Sequence, residues 1–90
     1  MLSVHGFSQG DAWVCEVDID DGSKTHHVVT VTKEDLDRWS GGAGQKDAED
    51  LVARSFEFLL EREPATSILH RFDLSVIQRY FPEYDAQFRR

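Results

Sequence analysis

The chain reads as a small single-domain α+β protein: a three-stranded antiparallel meander, packed on one face by C-terminal helices. Three observations predict this. The first third alternates apolar and polar residues with a period of two, as a half-buried strand does. The second half carries a 3.6-residue apolar stripe. Between them lies Ser40-Gly41-Gly42-Ala43-Gly44-Gln45, a flexible connector. The expected organisation of the 90 residues is one domain: strands over 1–32, a short helix and Gly-rich connector over 33–46, and helices over 47–88. A chain this short buries roughly 60–65 % of its unfolded surface, so its core is thin.

The strands are expected near 2–8, 12–19 and 24–31. In the second, Trp13, Cys15, Val17 and Ile19 alternate with Val14, Glu16, Asp18 and Asp20. A tight turn at Gln9-Gly10 sets Gly6 opposite Trp13, Val4 opposite Cys15 and Leu2 opposite Val17, with Gly6 leaving room for the indole. A two-residue turn at Asp21-Gly22 wastes the apolar face. A three-residue loop, Asp20-Asp21-Gly22 with Gly22 left-handed, places His27 across from Cys15 and Val29 across from Trp13.

Thr32 starts a short helix, with an acid three residues later in Thr32-Lys33-Glu34-Asp35, a relative of the capping box. Leu36 and Trp39 share its inner face, and Gly41 and Gly42 stop it. The main helix is expected from Ala48 to Glu63, with Asp47 as its cap and Glu49 and Asp50 in its first turn. Leu51, Val52, Phe56, Leu59 and Leu60 form its stripe, while Asp50 pairs with Arg54 on the far side. Pro64 ends it. Ser67 to Phe72 and Leu74 to Phe81 read as two shorter helices with Asp73 as a cap between them, and Pro82 opens a last helical segment over 82–88.

The charge is uneven. Ten Lys and Arg face seventeen Asp and Glu, a net charge of −7. Lys24, Lys33, Arg38 and Lys46 are the only basic residues before Arg54, whereas the six Arg and six acids after residue 53 cancel. The acidic front is a poor surface for phosphate backbones and suits a basic protein partner or simple solubility. Cys15 is the only cysteine, which excludes an intrachain disulfide and points to a reducing cytoplasm. The start, Met1-Leu2-Ser3-Val4, lacks the basic and long apolar features of a secretory signal, and no stretch is apolar enough for a bilayer.

Candidate sites are few. Cys15 and His27 fall side by side in this register, and an imidazole can turn a thiol into a nucleophile. Both lie on the apolar inner face, where burial raises a thiol's pKa, so core packing is the expected role and catalysis the weaker one. His26 and His27 point to opposite faces and cannot share a metal ion; His5 and His26 share the outer face without a placed carboxylate, so no metal site is expected. Asp18-Ile19-Asp20-Asp21-Gly22 does not keep the spacing of a calcium loop. The loop before Asp47 lacks the Gly-Lys-Ser/Thr of a phosphate loop, and its neighbouring acids repel phosphate. No cofactor is implied. Phe72-Asp73-Leu74-Ser75 is like the turn of a helix-turn-helix, but Pro82 cuts the second helix short and Arg79 stands where a buried residue belongs. Arg62, Arg71, Arg79, Arg89 and Arg90 could still form a basic patch. On the outer sheet face Phe7, Val14 and Val28 are expected to make an apolar patch, the candidate interface. The aromatic tail of Phe72, Tyr80, Phe81, Tyr84 and Phe88 is expected to close the core.

The stretch Phe58-Leu59-Leu60-Glu61-Arg62-Glu63-Pro64, then Ile68-Leu69-His70-Arg71-Phe72-Asp73-Leu74-Ser75-Val76-Ile77 and Arg79-Tyr80-Phe81-Pro82-Glu83-Tyr84, resembles a small bacterial family without an assigned activity. The resemblance covers roughly residues 28 to 88 and is strongest in the last third. It implies a bacterial origin and a stand-alone short protein, and brings no catalytic residue. The function expected from these features is a non-enzymatic interaction or regulatory module, acting as a homodimer or with a protein partner. The alternatives are nucleic-acid binding through the arginine-bearing helical half and a small Cys/His enzyme.

Overall fold

The computed structural model describes residues 1–89. Strands β1 (Leu2–Gln9), β2 (Ala12–Asp20) and β3 (Lys24–Thr32) form the expected meander; α1 (Lys33–Trp39) and α2 (Gln45–Leu60) follow. A 3₁₀ turn (Ala65–Ser67), strand β4 (Arg71–Asp73), a second 3₁₀ turn (Leu74–Val76), α3 (Ile77–Tyr80) and α4 (Glu83–Phe88) complete the chain. The sheet order is β1-β2-β3-β4.

The fourth strand corrects the expected three-stranded antiparallel sheet: β4 runs parallel to β3, with Val29 beside Phe72. It replaces the helix expected over Ser67 to Phe72. Ile68, Leu69 and Phe72 have a spacing that a helix could bury, but a run this short does not settle its own period. The free edge of β3 does: the Val28 N–H donates to the His70 carbonyl at 2.7 Å, and buried Phe72 alternates with exposed Arg71 and Asp73.

Both hairpins keep the expected side-chain parity with pairings two residues away from those expected. Gly6 faces Cys15, Val4 faces Val17 and Leu2 faces Ile19; Val29 faces Cys15 and His27 faces Val17. The first loop is Gly10-Asp11, and Gly10 has the positive φ (62°) that a type II′ turn needs at its first central position. The second is Asp21-Gly22-Ser23, with Gly22 at φ 105°. A slip of two leaves every side chain on its face. The inner face therefore buries Cys15, Val17, Ile19 and Val29 as expected, with Val31 beside them, while Val4 and Trp13 on the same face are half-buried.

The space at Gly6 serves Cys15 and Glu49, not the Trp13 indole. A Cβ there would lie 3.1 Å from the Cys15 sulfur and 3.0 Å from Glu49 Cγ. That approach lets Glu49 of α2 accept the Gly6 N–H at 2.7 Å. The capping box of α1 is complete: the Asp35 N–H donates to Thr32 Oγ1, and the Thr32 N–H donates to the Asp35 carboxylate. Gly41, at φ 82°, closes the other end by donating its N–H to the Leu36 carbonyl. Helix α2 begins three residues earlier than expected, with Gly44 rather than Asp47 at its cap. Asp47 reaches back instead, accepting the N–H groups of Ala43 and Gly44. Arg54 lies over the Phe88 ring, 5.6 Å from its centre, and forms no ion pair with Asp50 among the described residues.

The tail closes the core through Tyr84. Its ring meets Trp39 edge-on at 5.1 Å and Phe58 at 5.3 Å, and stacks on Phe88 at 4.4 Å. Ser55 donates its hydroxyl to the Leu51 carbonyl, so the Tyr84 hydroxyl is the donor in the 2.7 Å bond between them. Burial pushes the Tyr84 phenol well above its ordinary pKa, so it stays a donor. Asp85 beside it accepts the Trp39 indole N–H at 2.9 Å. Replacing Tyr84 by Phe removes one buried hydrogen bond and should cost about 1 kcal/mol. Replacing it by Ala opens a cavity and should cost about 3–5 kcal/mol. Urea unfolding of the two variants checks both values and their order.

Candidate functional site

Cys15 and His27 are both fully buried on the inner face, on adjacent strands but not directly opposite each other. Both ring nitrogens of His27 have other partners. Nδ1 lies 2.7 Å from the Leu69 carbonyl, which can only accept, so Nδ1 carries the proton. In the neutral ring Nε2 then accepts the Thr25 hydroxyl at 3.0 Å. Burial, and secondarily the nearby Glu49 carboxylate, raise the Cys15 pKa to about 11. At neutral pH only about one thiol in ten thousand is then a thiolate. The arrangement suits holding, not proton transfer: His27 ties the segment before β4 to β3, and its ring packs on Phe56 and stacks on His70. Leu69 is an orienting partner that sequence spacing does not reveal, because it offers a backbone carbonyl 42 residues away; Thr25, two residues earlier on the same strand face, is one that the alternation could have found.

The other histidines stay outside. His26 and His27 point to opposite faces, as their adjacency on a strand requires. His26 Nδ1 is 2.7 Å from Asp18 and Nε2 is 3.7 Å from Glu16, while His70 Nδ1 donates to the His26 carbonyl. No group of three or more His, Cys, Asp or Glu among the described residues is arranged to hold a metal ion. The connector before α2 is likewise self-occupied: the amides of Ala43 and Gly44, where a phosphate would bind, already hold the Asp47 carboxylate.

The arginine patch does not form as expected among the described residues: only Arg71 and Arg79 share a surface. Arg62 reaches Glu83 and lies 3.5 Å from the centre of the Phe58 ring, and Arg89 pairs with Asp85. Arg71 and Arg79 are exposed and flank one depression with Tyr80; Arg90 lies outside the described residues. Phe72 to Ser75 is a strand end leading into a 3₁₀ turn, so the two-helix frame of a helix-turn-helix is absent there.

Two surfaces remain open. The first is the outer sheet face, a grid of three rows across β1, β2 and β3: Phe7, Val14 and Thr30; His5, Glu16 and Val28; Ser3, Asp18 and His26. Phe7 is 39 % exposed, and Val14 and Val28 are half-buried by their neighbours in the grid. Phe7 and Val14 are directly opposed, and Val28 is diagonal to Val14. The second is an apolar cleft of about 320 Å³ on the helical side of β4, walled by Leu59, Ile68, Leu69, Phe72 and Val76. Leu69 and Tyr80 stand at its mouth, 49 % and 68 % exposed. Tyr80 therefore departs from the expected core closure: α3 buries Ile77 and leaves Tyr80 exposed.

No helix among the described residues is long and apolar enough to cross a membrane. Comparison of the chain with protein-family models, with curated proteins and with solved structures finds no match.

Two measurements test the interior assignment. Iodoacetamide should label Cys15 only when the protein is unfolded; rapid labelling of the native protein contradicts burial. Burial also lowers the His27 pKa below its ordinary value, against a smaller opposing effect of its bond to Leu69. A base whose pKa falls on folding binds its proton more weakly in the native state. Its contribution to stability is therefore full above about pH 6.5 and declines as the pH falls toward the depressed native value. Urea midpoints should drop between pH 7.5 and 5.5, and His27→Gln should be less stable at pH 7.5 but flatter across that range.

Proposed function

We propose that the protein is a non-enzymatic interaction module whose working surface is the outer sheet face around Phe7, Val14 and Val28. One observation carries this reading. A sheet covered by helices on one side ordinarily shows water a polar alternation on the other. Here two opposed apolar side chains and a third beside them occupy adjacent grid positions with no layer over them among the described residues. Glu16 and Asp18 lie on the same face, along the middle strand. A second copy stacked about a two-fold axis along β2 sets Val14 on Val14 but also Glu16 on Glu16. A protein surface with apolar side chains flanked by Lys or Arg meets both features without that repulsion, so it is the preferred partner. Bacterial origin, read from the C-terminal half, belongs to the same proposal.

The test compares the wild type with Phe7→Lys and Val14→Lys, both surface changes expected to leave the circular dichroism and melting temperature nearly unchanged. Light scattering gives the mass, and pull-down from a bacterial lysate gives the retained proteins. Proteins held by the wild type and lost by both variants are the expected outcome, with the wild type monomeric alone. A monomer whose retained proteins are the same with and without the substitutions overturns the reading.

A further inference from the structure

The two edges of the sheet are treated differently. On β1 the even-numbered residues turn their backbone groups away from β2, and one of them, Gly6, has its N–H capped by Glu49. An incoming strand meets a carboxylate there. On the opposite side β4 is the last strand. Its parallel register, with the Val28 N–H on the His70 carbonyl, turns residues 70 and 72 toward β3 and residues 71 and 73 away from it. The Arg71 N–H and carbonyl and the Asp73 N–H therefore point outward, and none of them has a partner among the described residues. The Asp73 carbonyl serves the 3₁₀ turn that Asp73 caps.

This edge borders the apolar cleft, since Leu69, Phe72, Val76 and Tyr80 line both the cleft and the depression holding Arg71 and Arg79. Donors and acceptors at strand spacing, beside a cleft with room for an apolar side chain, match an extended backbone better than a compact ligand. The charges narrow the choice. Arg71 and Arg79 are exposed and lie in no ion pair among the described residues. Glu63 lies at the cleft, whereas the depression holds Arg71 and Arg79 against the single acid Asp73, so a carboxylate on the occupant belongs in the depression beside the arginines.

We propose that β4 and the cleft form a strand-addition site for an extended segment of a partner protein. The segment pairs its main chain with Arg71 and Asp73, lays an apolar side chain in the cleft and sets an acidic side chain beside Arg71 and Arg79. This rests on the interaction-module reading but uses the β4 edge, which adjoins the sheet-face patch only where Arg71 pairs with Val28; Phe7 and Val14, on β1 and β2, tell the two readings apart.

The probe is an acetylated, amidated hexapeptide alternating Glu and Leu, titrated into ¹⁵N-labelled protein. The expected result is movement of the Arg71 and Asp73 amide signals together with slower amide exchange at both. N-methylation of the two central peptide amides should weaken binding about fivefold or more, the loss expected for a net hydrogen bond. Tyr80→Ala, at an exposed position, should weaken it comparably while the fold is kept, and exchanging Glu for Lys in the peptide should weaken it further. Unmoved signals at residues 71 and 73 overturn the proposal. So does equal affinity of the N-methylated peptide, which leaves only an apolar anchor in the cleft. A doubled mass without peptide, with the same amides protected, overturns it in favour of a second copy at the edge. Signals that move only at Phe7 and Val14 overturn the edge site and leave the sheet-face reading standing.

Discussion

The alternation along β2 is the constraint on which the rest of the structure leans. Cys15, Val17 and Ile19 point one way and Val14, Glu16 and Asp18 the other, and β1 and β3 are held to that parity by their ladders. The helices have one apolar face to cover, and all of them gather there. A one-residue slip in either hairpin would put β1 or β3 out of step with β2, turning the outer-face residues of that strand toward the core and its apolar ones to water. A two-residue difference in pairing, such as separates the actual hairpins from those expected, costs the face assignment nothing.

Attached to this frame is a C-terminal stretch with little regular structure of its own. Between α2 and α4 the chain makes two 3₁₀ turns, a three-residue strand and a four-residue helix, none able to stand alone. It is held by polar ties to β3 and by aromatic packing further on. The Val28 N–H, the His27 imidazole and the His26 carbonyl each bind the backbone or side chain of residues 69 and 70. Tyr84, Phe88, Trp39 and Phe58 then lock the tail against α1 and α2. Buried His27 is thus a structural cross-link between the meander and the segment that makes the fourth strand.

Several acids of the front half have structural employment, which changes the meaning of the charge excess. Asp35 completes a capping box, Asp47 fills the amides before α2 and Glu49 caps the β1 edge. Glu16 and Asp18 remain on the open sheet face with His26. The arginines of the back half are similarly divided: Arg62 and Arg89 are engaged by Glu83 and Asp85, leaving Arg71 and Arg79 at the depression beside β4.

Local chemistry made much of this legible from the chain alone. Strand alternation set which side chains of the meander are inside; Thr32 and Asp35 marked the start of α1; Gly22 and Gly41 marked positive-φ positions; and Phe7, Val14 and Val28 were placed together on the outer face. These depend on residues within a few positions of one another, or on a period that propagates along a ladder. Ile68 to Asp73 could not be read this way, because its state depends on an unpaired edge some 40 residues earlier in the chain. The partners of Cys15 and His27, the capping of Gly6 by Glu49 and the cleft under Tyr80 were likewise decided only in three dimensions. Apart from Thr25, two residues before His27 on the same strand, the deciding group comes from a distant element, and in the case of Leu69 it is a backbone carbonyl that no residue type advertises.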